Sequence, residues 1–595
     1  MASSYQSLDK IMMFRLLCPT LSITLLIILF PVLCAASDRA WIDGTCDLIE
    51  RANRVVTVSD EKLLAPALQS PQVGDQKKFY AVDFSRSGRA YFTNATCRAV
   101  GEFCYIFVED TQWQKTVTNT GAAKLRRAFD ESTPANTSQG IYKLETENLA
   151  SAPDEIDLDP KIYILILDIP DSENVDGNFV AGYFEPLNQK RGVLRDPNTG
   201  MQFQSNEVEM IYIDANPLNT EDIIAREILA HEFQHLIHWR HDPNEDIWVN
   251  EGCSEYAALY LCGYQSGHNS PHIEAFEKKP QTSLIYWKGE TASSLANYGA
   301  SYLWMMYLNE HYGGVSTISS LINQPAHGIN GVNAVLVSKG YSQNFNEIFS
   351  DWKVANYLDS DSFESGRYGY ANLDVKPVYS IRHSAFPVSN NSRSIQSWAA
   401  NYIEFDGGNG TSDLSIDLSI KASYDFDVRI VSMKNSMPVA VQSIPIESGK
   451  GQVTVPLFGY NVDKVVLIPN WIPRTEADVN GVVSYSYSAN LGSKIGFRVT
   501  ILPNAVNSRY VDIITSINEI VGNEVPKLTL TRLGKTVASE QKMVLLSHTK
   551  KDTIYVYQVF IPIGWNGMEI KWQISYLGRS AISGDLGSVP SQVKK

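Results

Sequence analysis

Between residues 76 and 218 short apolar runs alternate with polar turns. The runs KFYAVDF (78–84), EFCYIFVE (102–109), KIYILILDI (161–169) and VEMIYI (208–213) are rich in aromatic and β-branched side chains and predict strands. Residues 119–129 and 220–238 predict helices around them, so this stretch reads as mixed α/β. Its last strand leads directly into the helix that begins at 220. Three more segments are helical in pattern: 251–262, 299–312 and 343–358, the second with apolar positions three to four apart. Beyond residue 375 the texture changes. Short β-branched or alternating runs at 400–405, 413–419, 426–431, 451–457, 463–468, 482–488 and 494–501 are separated by Gly, Asn and Pro, the pattern of an antiparallel sandwich. The same texture returns at 526–532, 541–546, 553–561 and 567–575. The expected fold class is multidomain α+β. It has an α/β part and a helical part over 76–375, a β-sandwich over 376–508, and a second sandwich or β-rich extension over 509–595.

The N-terminus carries a different pattern. Residues 16–36, LLCPTLSITLLIILFPVLCAA, hold no charge and follow Lys10 and Arg15. Such a run is long enough to span a bilayer, so an uncleaved anchor is one reading. Ala35, Ala36 and Ser37 at its end favour a secretory signal peptide, residues 1–36, cut near position 36. Lipid modification at Cys34 would want a small residue where Leu33 stands. The expected location is secreted, extracellular or cell-surface, with the periplasm allowed; a membrane enters only if the segment stays attached. Residues 37–75 are weakly patterned and read as an N-terminal extension or propeptide.

Composition narrows the function classes. At roughly 100–200 residues per domain, 595 residues allow three to five domains. Lys and Arg number 50 against 65 Asp and Glu, a net charge of -15, which argues against nucleic-acid partners and against docking on an anionic membrane. The 30 Tyr, 22 Phe and 11 Trp argue against disorder. Five cysteines follow residue 36: Cys46, Cys97, Cys104, Cys253 and Cys262, too few for a disulfide scaffold. A hairpin bridge between Cys97 and Cys104 is compatible with the short turn between them. Cys253 and Cys262 would stand about 13 Å apart on a continuous helix, beyond disulfide reach.

One segment carries chemistry. Residues 220–238, TEDIIAREILAHEFQHLIH, contain His231-Glu232-Phe233-Gln234-His235. Positions i and i+4 of a helix lie one above the other, so both imidazoles can reach one zinc ion, and Glu232 is placed to take a proton from an attacking water. The run Trp248-Val249-Asn250-Glu251-Gly252 then opens another helical segment. Glu251 is a suitable third ligand, leaving one coordination position open. His241 is the alternative, but a His₃ site of that kind wants glycine where His238 stands. His238 and His241 are expected at the surface. Glu255, one turn past Glu251, can accept a hydrogen bond from the distal nitrogen of His231, or can be a solvated carboxylate.

HEFQHLIHW…WVNEGCSEYAALY resembles the glutamate-zincin metallopeptidases, closest to the hyicolysin-like secreted neutral metallopeptidases and more loosely the zinc aminopeptidases. The resemblance covers about residues 200–360. It implies a zincin-type domain, with zinc on His231, His235 and Glu251 and Glu232 as general base. Cys253 stands where such proteins usually carry an apolar residue. Comparison of NYGASYLWMMYLNEHYGG (297–314) with the aminopeptidases implies Tyr298 as oxyanion donor, with Tyr302 as the alternative.

The expected activity is therefore that of a secreted zinc endopeptidase acting on protein or peptide substrates. No Gly-x-Met-Glu-Asn-type exopeptidase segment precedes the HExxH. An exopeptidase of the same mechanism is one alternative; an adhesin built on an inactive protease fold is another. Calcium is compatible with the acidic composition, though no D-x-D-x-D-G loop places it. The β domains would bind cell-surface or extracellular components, or act as spacers.

Overall fold

The computed structural model describes residues 41–595 apart from 60–69, 87, 172–178, 266–269, 288–293, 377–380, 409–411, 460–461, 476–477, 493–496, 504–509, 518–524, 549–552, 563–569, 577–578 and 587–595. The expected signal segment lies outside the described residues. Among the described residues no helix is long and apolar enough to cross a membrane.

Strand β1 (Trp41–Asp43) leads into helix α1 (Thr45–Arg54) and β2 (Val56–Ser59). Then come β3 (Gln76–Asp83), β4 (Arg89–Val100), β5 (Cys104–Glu109), α2 (Asn119–Asp130), α3 (Ile141–Asn148), β6 (Ile162–Leu167), β7 (Phe179–Phe184), β8 (Val193–Arg195), β9 (Gln202–Phe203) and β10 (Met210–Asp214). Seven of these strands form one mixed sheet, in the order β1-β7-β10-β6-β5-β4-β3; β2, β8 and β9 form a small separate one. Strand β6 shows why the sheet lies in the core. Its Ile162, Ile164 and Ile166 face the helical side, and Tyr163, Leu165 and Leu167 the other, so both faces are buried and the run is apolar throughout.

The helical side is built from α4 (Ile223–His241), α5 (Ile247–Glu255), α6 (Pro271–Lys278), α7 (Leu295–His311), α8 (Val315–Ile322), α9 (Gly328–Ser338) and α10 (Phe345–Leu358), with a π-helical stretch, Tyr256–Leu261, continuing α5. The Asp214 carboxylate shapes the link from β10 to α4: it accepts the Ile169, Asn216 and Leu218 N–H groups at 3.1, 2.9 and 3.2 Å. Two expectations change here. Residues 41–59, set apart in the sequence pattern as part of an extension, supply an edge strand of the main sheet and a helix buried through Cys46, Leu48, Ile49 and Ala52. And Cys97 and Cys104 are not bridged: they point to opposite faces of the sheet, into different clusters.

The chain then enters a two-sheet module. One sheet orders Ile381–His383, Ile403–Phe405, Lys464–Ile472, Asp425–Lys434 and Met437–Ser443; the other orders Val388–Gln396, Val482–Gly492, Ser412–Ile420 and Lys450–Phe458. Their inner faces share a core of Ile403, Phe405, Leu414, Ile416, Ile430, Leu467 and Tyr487. The Trp398 ring joins this module to α10, with centroids 4.8 Å from Phe345 and 5.4 Å from Phe349. The C-terminal residues form two further four-stranded sheets, Phe497–Pro503, Tyr510–Ile517, Thr553–Phe560, Val544–His548 and Lys535–Lys542, Lys527–Arg532, Ile570–Tyr576, Arg579–Asp585, around their own core of Ile513, Leu528, Tyr555 and Ile574. The architecture is thus mixed α/β with several sheets, consistent with a multidomain α+β protein.

Candidate metal centre

Helix α4 lies between the sheet and the other helices and is buried on all sides from Glu227 to His238. Its His231 and His235 bring their Nε2 atoms to 3.0 Å. Helix α5 packs across it and delivers Glu251, whose Oε2 lies 3.2 Å from His231 Nε2 and 3.6 Å from His235 Nε2. From β1 comes a group that the pattern of the sequence did not reveal. Asp43 Oδ2 lies 3.4 Å from His235 Nε2, and one donor atom from each of Asp43, His231, His235 and Glu251 falls within 4.8 Å of the others.

Supporting groups orient these donors. His235 Nδ1 meets Asn250 Oδ1 at 2.8 Å. His231 Nδ1 faces Glu255 Oε1 at 3.4 Å, and the other Glu255 oxygen takes His272 Nδ1 at 3.1 Å. Glu255 is buried, so it is not a solvated carboxylate. Cys46 Sγ lies 2.7 Å from Glu251 Oε1. Thr45 Oγ1 lies 3.0 Å from Glu232 Oε2 and 2.7 Å from Asp43 Oδ1 while accepting the Phe184 N–H at 2.9 Å. A hydroxyl has one hydrogen, so Thr45 serves one of those carboxylates at a time.

The electrostatics call for a cation. Asp43, Glu232, Glu251 and Glu255 are all buried, and among the described residues no Lys or Arg pairs with any of them. Burial pushes the Glu232 carboxyl well above the usual range, and the Asp43 carboxylate adds to it. Burial opposes charge on the imidazoles too, yet the carboxylates outweigh it, raising His231 to about 10 and His235 well above its ordinary value. Burial works to raise Glu251 as well, but His235 and His231 hold it well below the carboxylate range. Asp43 Oδ2 and Glu251 Oε2 are buried, lack a hydrogen-bond partner and point at the paired imidazole nitrogens. Two nitrogens and two such oxygens form a donor set that fits zinc. This is the one metal-capable group of clustered His, Cys, Asp and Glu among the described residues.

The remaining candidates fall around this centre. His238 is buried rather than at the surface, because α4 has no solvent face at that point; burial lowers its pKa to about 3, so it is uncharged. His241 ends α4 with its Nε2 2.9 Å from the Ser151 carbonyl oxygen, away from the donor group. Tyr298 is buried on α7, stacked on His272 with centroids 4.8 Å apart, and so adjoins the His272–Glu255–His231 chain. Tyr302 donates to Gln265 Oε1 at 2.8 Å. Sequence reasoning missed Asp43, Thr45, Cys46, Asn250 and His272. The signal available for the first three was an Asp and a Thr inside the otherwise apolar run Trp41–Cys46, visible but not decisive.

The chain is 24% identical over 345 residues to the neutral metalloprotease ShpI of Staphylococcus hyicus, a match that covers 54% of this chain and 72% of that protein. No family model matches. Among solved structures, a Bifidobacterium dentium beta-glucuronidase complexed with coumarin-3-O-glucuronide overlaps 34% of this chain and 39% of its own, at 8% identity and TM-score 0.13. A bacterial orthologue of human α-L-iduronidase overlaps 33% of this chain and 32% of its own, at 8% identity and TM-score 0.09. Overlaps that low carry no argument about the fold. The metalloprotease match supports a metallopeptidase relationship.

Proposed function

We propose that the chain is a zinc endopeptidase of the glutamate-zincin type, closest to the hyicolysin-like group, exported by the segment at 16–36. The observation that carries this reading is the convergence of His231, His235 and Glu251 donors beside the Glu232 carboxylate. His231, His235 and Glu251 would hold the metal. Zinc supplies Lewis acidity, polarising the scissile carbonyl and making the attacking water more acidic. Glu232 takes the proton of that water and passes it to the leaving amine. Glu255 and Asn250 fix the distal nitrogens of His231 and His235, which keeps each Nε2 lone pair aimed inward. Tyr298 donates to the developing oxyanion; its support is its place beside the chain that ends on His231. The C-terminal β modules bind extracellular components or space the catalytic part from them.

Metal analysis and blocked-end peptides test this reading. One zinc per chain is expected, with cleavage of peptides closed at both ends. Glu232→Gln should keep the zinc and lose about 10²–10⁴ in turnover. Unchanged turnover would overturn the mechanism, and cleavage confined to free-ended peptides would make the protein an exopeptidase.

A further inference from the structure

Catalytic zinc sites keep a coordination position open, whereas closed sets of four protein donors belong to structural zinc. Here a fourth donor, Asp43, stands among the three expected ones, beside a carboxylate placed for catalysis. Accessibility sharpens the conflict: Asp43, His231, Glu232, His235 and Glu251 are each 0% exposed. A peptide cannot reach Glu232 in this arrangement.

Strand β1 is what closes it. It pairs in parallel with β7, matching Trp41 to Phe179, Ile42 to Val180 and Asp43 to Gly182, and the Gly44 N–H reaches the Gly182 carbonyl at 3.1 Å. Without β1, β7 would be the edge of the sheet. A sheet edge is a template for an extended chain, and β7 packs directly against Glu232: a Cβ on Gly182 would lie 3.1 Å from Glu232 Cγ. Successive side chains of a strand alternate, so Trp41 and Asp43 both face the centre while Ile42 points to the opposite core. The Trp41 ring stands edge-on to His231 with centroids 5.6 Å apart and covers it.

We infer that residues 41–44 are a built-in latch: Asp43 is a fourth protein ligand of the metal, and β1 occupies the strand position that an extended peptide substrate needs. The chain as folded is the latent form, and the parent cleaves only through the fraction of molecules whose β1 has left β7. The ligand role rests on donor geometry alone; the word substrate rests on the peptidase reading above. Helix α1 is anchored separately, by the Arg51–Glu185 ion pair and by Lys190 Nζ on the Ala52 and Val55 carbonyls at 2.6 and 2.9 Å. The three-residue strand can therefore leave while α1 stays. Its departure also frees the single Thr45 hydrogen for Glu232.

The test uses the full zinc-loaded chain and two variants. Asp43→Ala removes the ligand; Asp43→Asn keeps the side-chain volume and the oxygen that Thr45 meets, which guards against misfolding. Zinc affinity is read by chelator competition, the ligand set by the visible spectrum of the cobalt-substituted protein, and turnover on blocked peptides at saturating zinc. Both variants should bind zinc at least about tenfold more weakly, alter the cobalt spectrum and cleave faster than the parent. Unchanged affinity and spectrum would overturn the ligand role. Weaker binding with slower cleavage would overturn the latch, making Asp43 part of the working site. If no form cleaves any peptide while affinity still falls, the ligand role stands, and the peptidase reading falls together with the latch.

Discussion

Two places in this molecule bury charge, and they balance it differently. At the seam between α10 and the first β module, the Lys353 ammonium is fully buried. It bonds the Asp427 carboxylate, the Asp427 carbonyl at 3.0 Å and the Asn470 side chain, so its donors are matched by protein acceptors. Burial pushes Asp427 up, but Lys353 and Arg429 outweigh it and hold it at about 2. At the metal centre four carboxylates converge with no Lys or Arg partner among the described residues, and only imidazoles to offset them. The seam completes its own charge balance. The centre leaves a deficit of the kind a divalent cation would fill. A buried pair is a structural device, and an uncompensated cluster is a binding site; the difference lies in which charge the chain leaves out.

The contrast can be broken at either end. Chelation should have the largest effect, taking peptide cleavage to background. It should also lower the unfolding free energy, by about 4 kcal/mol relative to protein with zinc at a thousand times its Kd, as read by thermal or denaturant unfolding. Chelation should leave the seam untouched, so a loss of contact between α10 and the β module in hydrogen exchange would contradict the separation. Asp427→Leu comes next. It strands the buried Lys353 and should cost about 3–5 kcal/mol in urea unfolding, with turnover per folded molecule unchanged. Adding Lys353→Met should recover much of that cost.

Acid gives a smaller, sharper signal. The folded pKa of Asp427 is depressed to about 2, so its contribution is present above the unfolded value and is lost as pH falls from about 4 through 2. The loss should be about 2 kcal/mol and should be missing from an Asp427→Leu titration. The smallest effect expected is from Glu255→Gln, which loosens the hold on His231 and should weaken zinc about tenfold with little change in global stability. No change in zinc affinity would remove Glu255 from the support of the centre.

What the sequence made legible follows from how far each contact reaches along the chain. His231, Glu232 and His235 lie on one helix, and Glu251 and Glu255 are one turn apart on the next, so helical periodicity exposes them. Strand β6 was legible because burial on both faces leaves an unbroken apolar run. Asp43 was not legible, because it meets its partners only after β1 has crossed to the edge of a sheet whose other members begin at Gln76. His238 was misplaced because a helix surrounded on all sides has no polar face, and a histidine near its end then looks like a surface residue. The Cys97–Cys104 hairpin failed as a bridge for a local reason: a register shift after Cys97 leaves the two thiols on opposite sides of the ribbon.

Gly182 sets a mechanical tolerance. A methyl group there would come within 2.7 Å of Ile228 Cγ2 and 3.0 Å of the Tyr212 carbonyl oxygen, as well as pressing on Glu232. The glycine acts as a shim of zero thickness between sheet and helix, and any thicker shim lifts the Glu232 carboxylate away from the strand beside it. His231 and His235 ride on the same helix and would shift with Glu232, so the mutual spacing of the two imidazoles would survive while their alignment with a peptide on β7 would not.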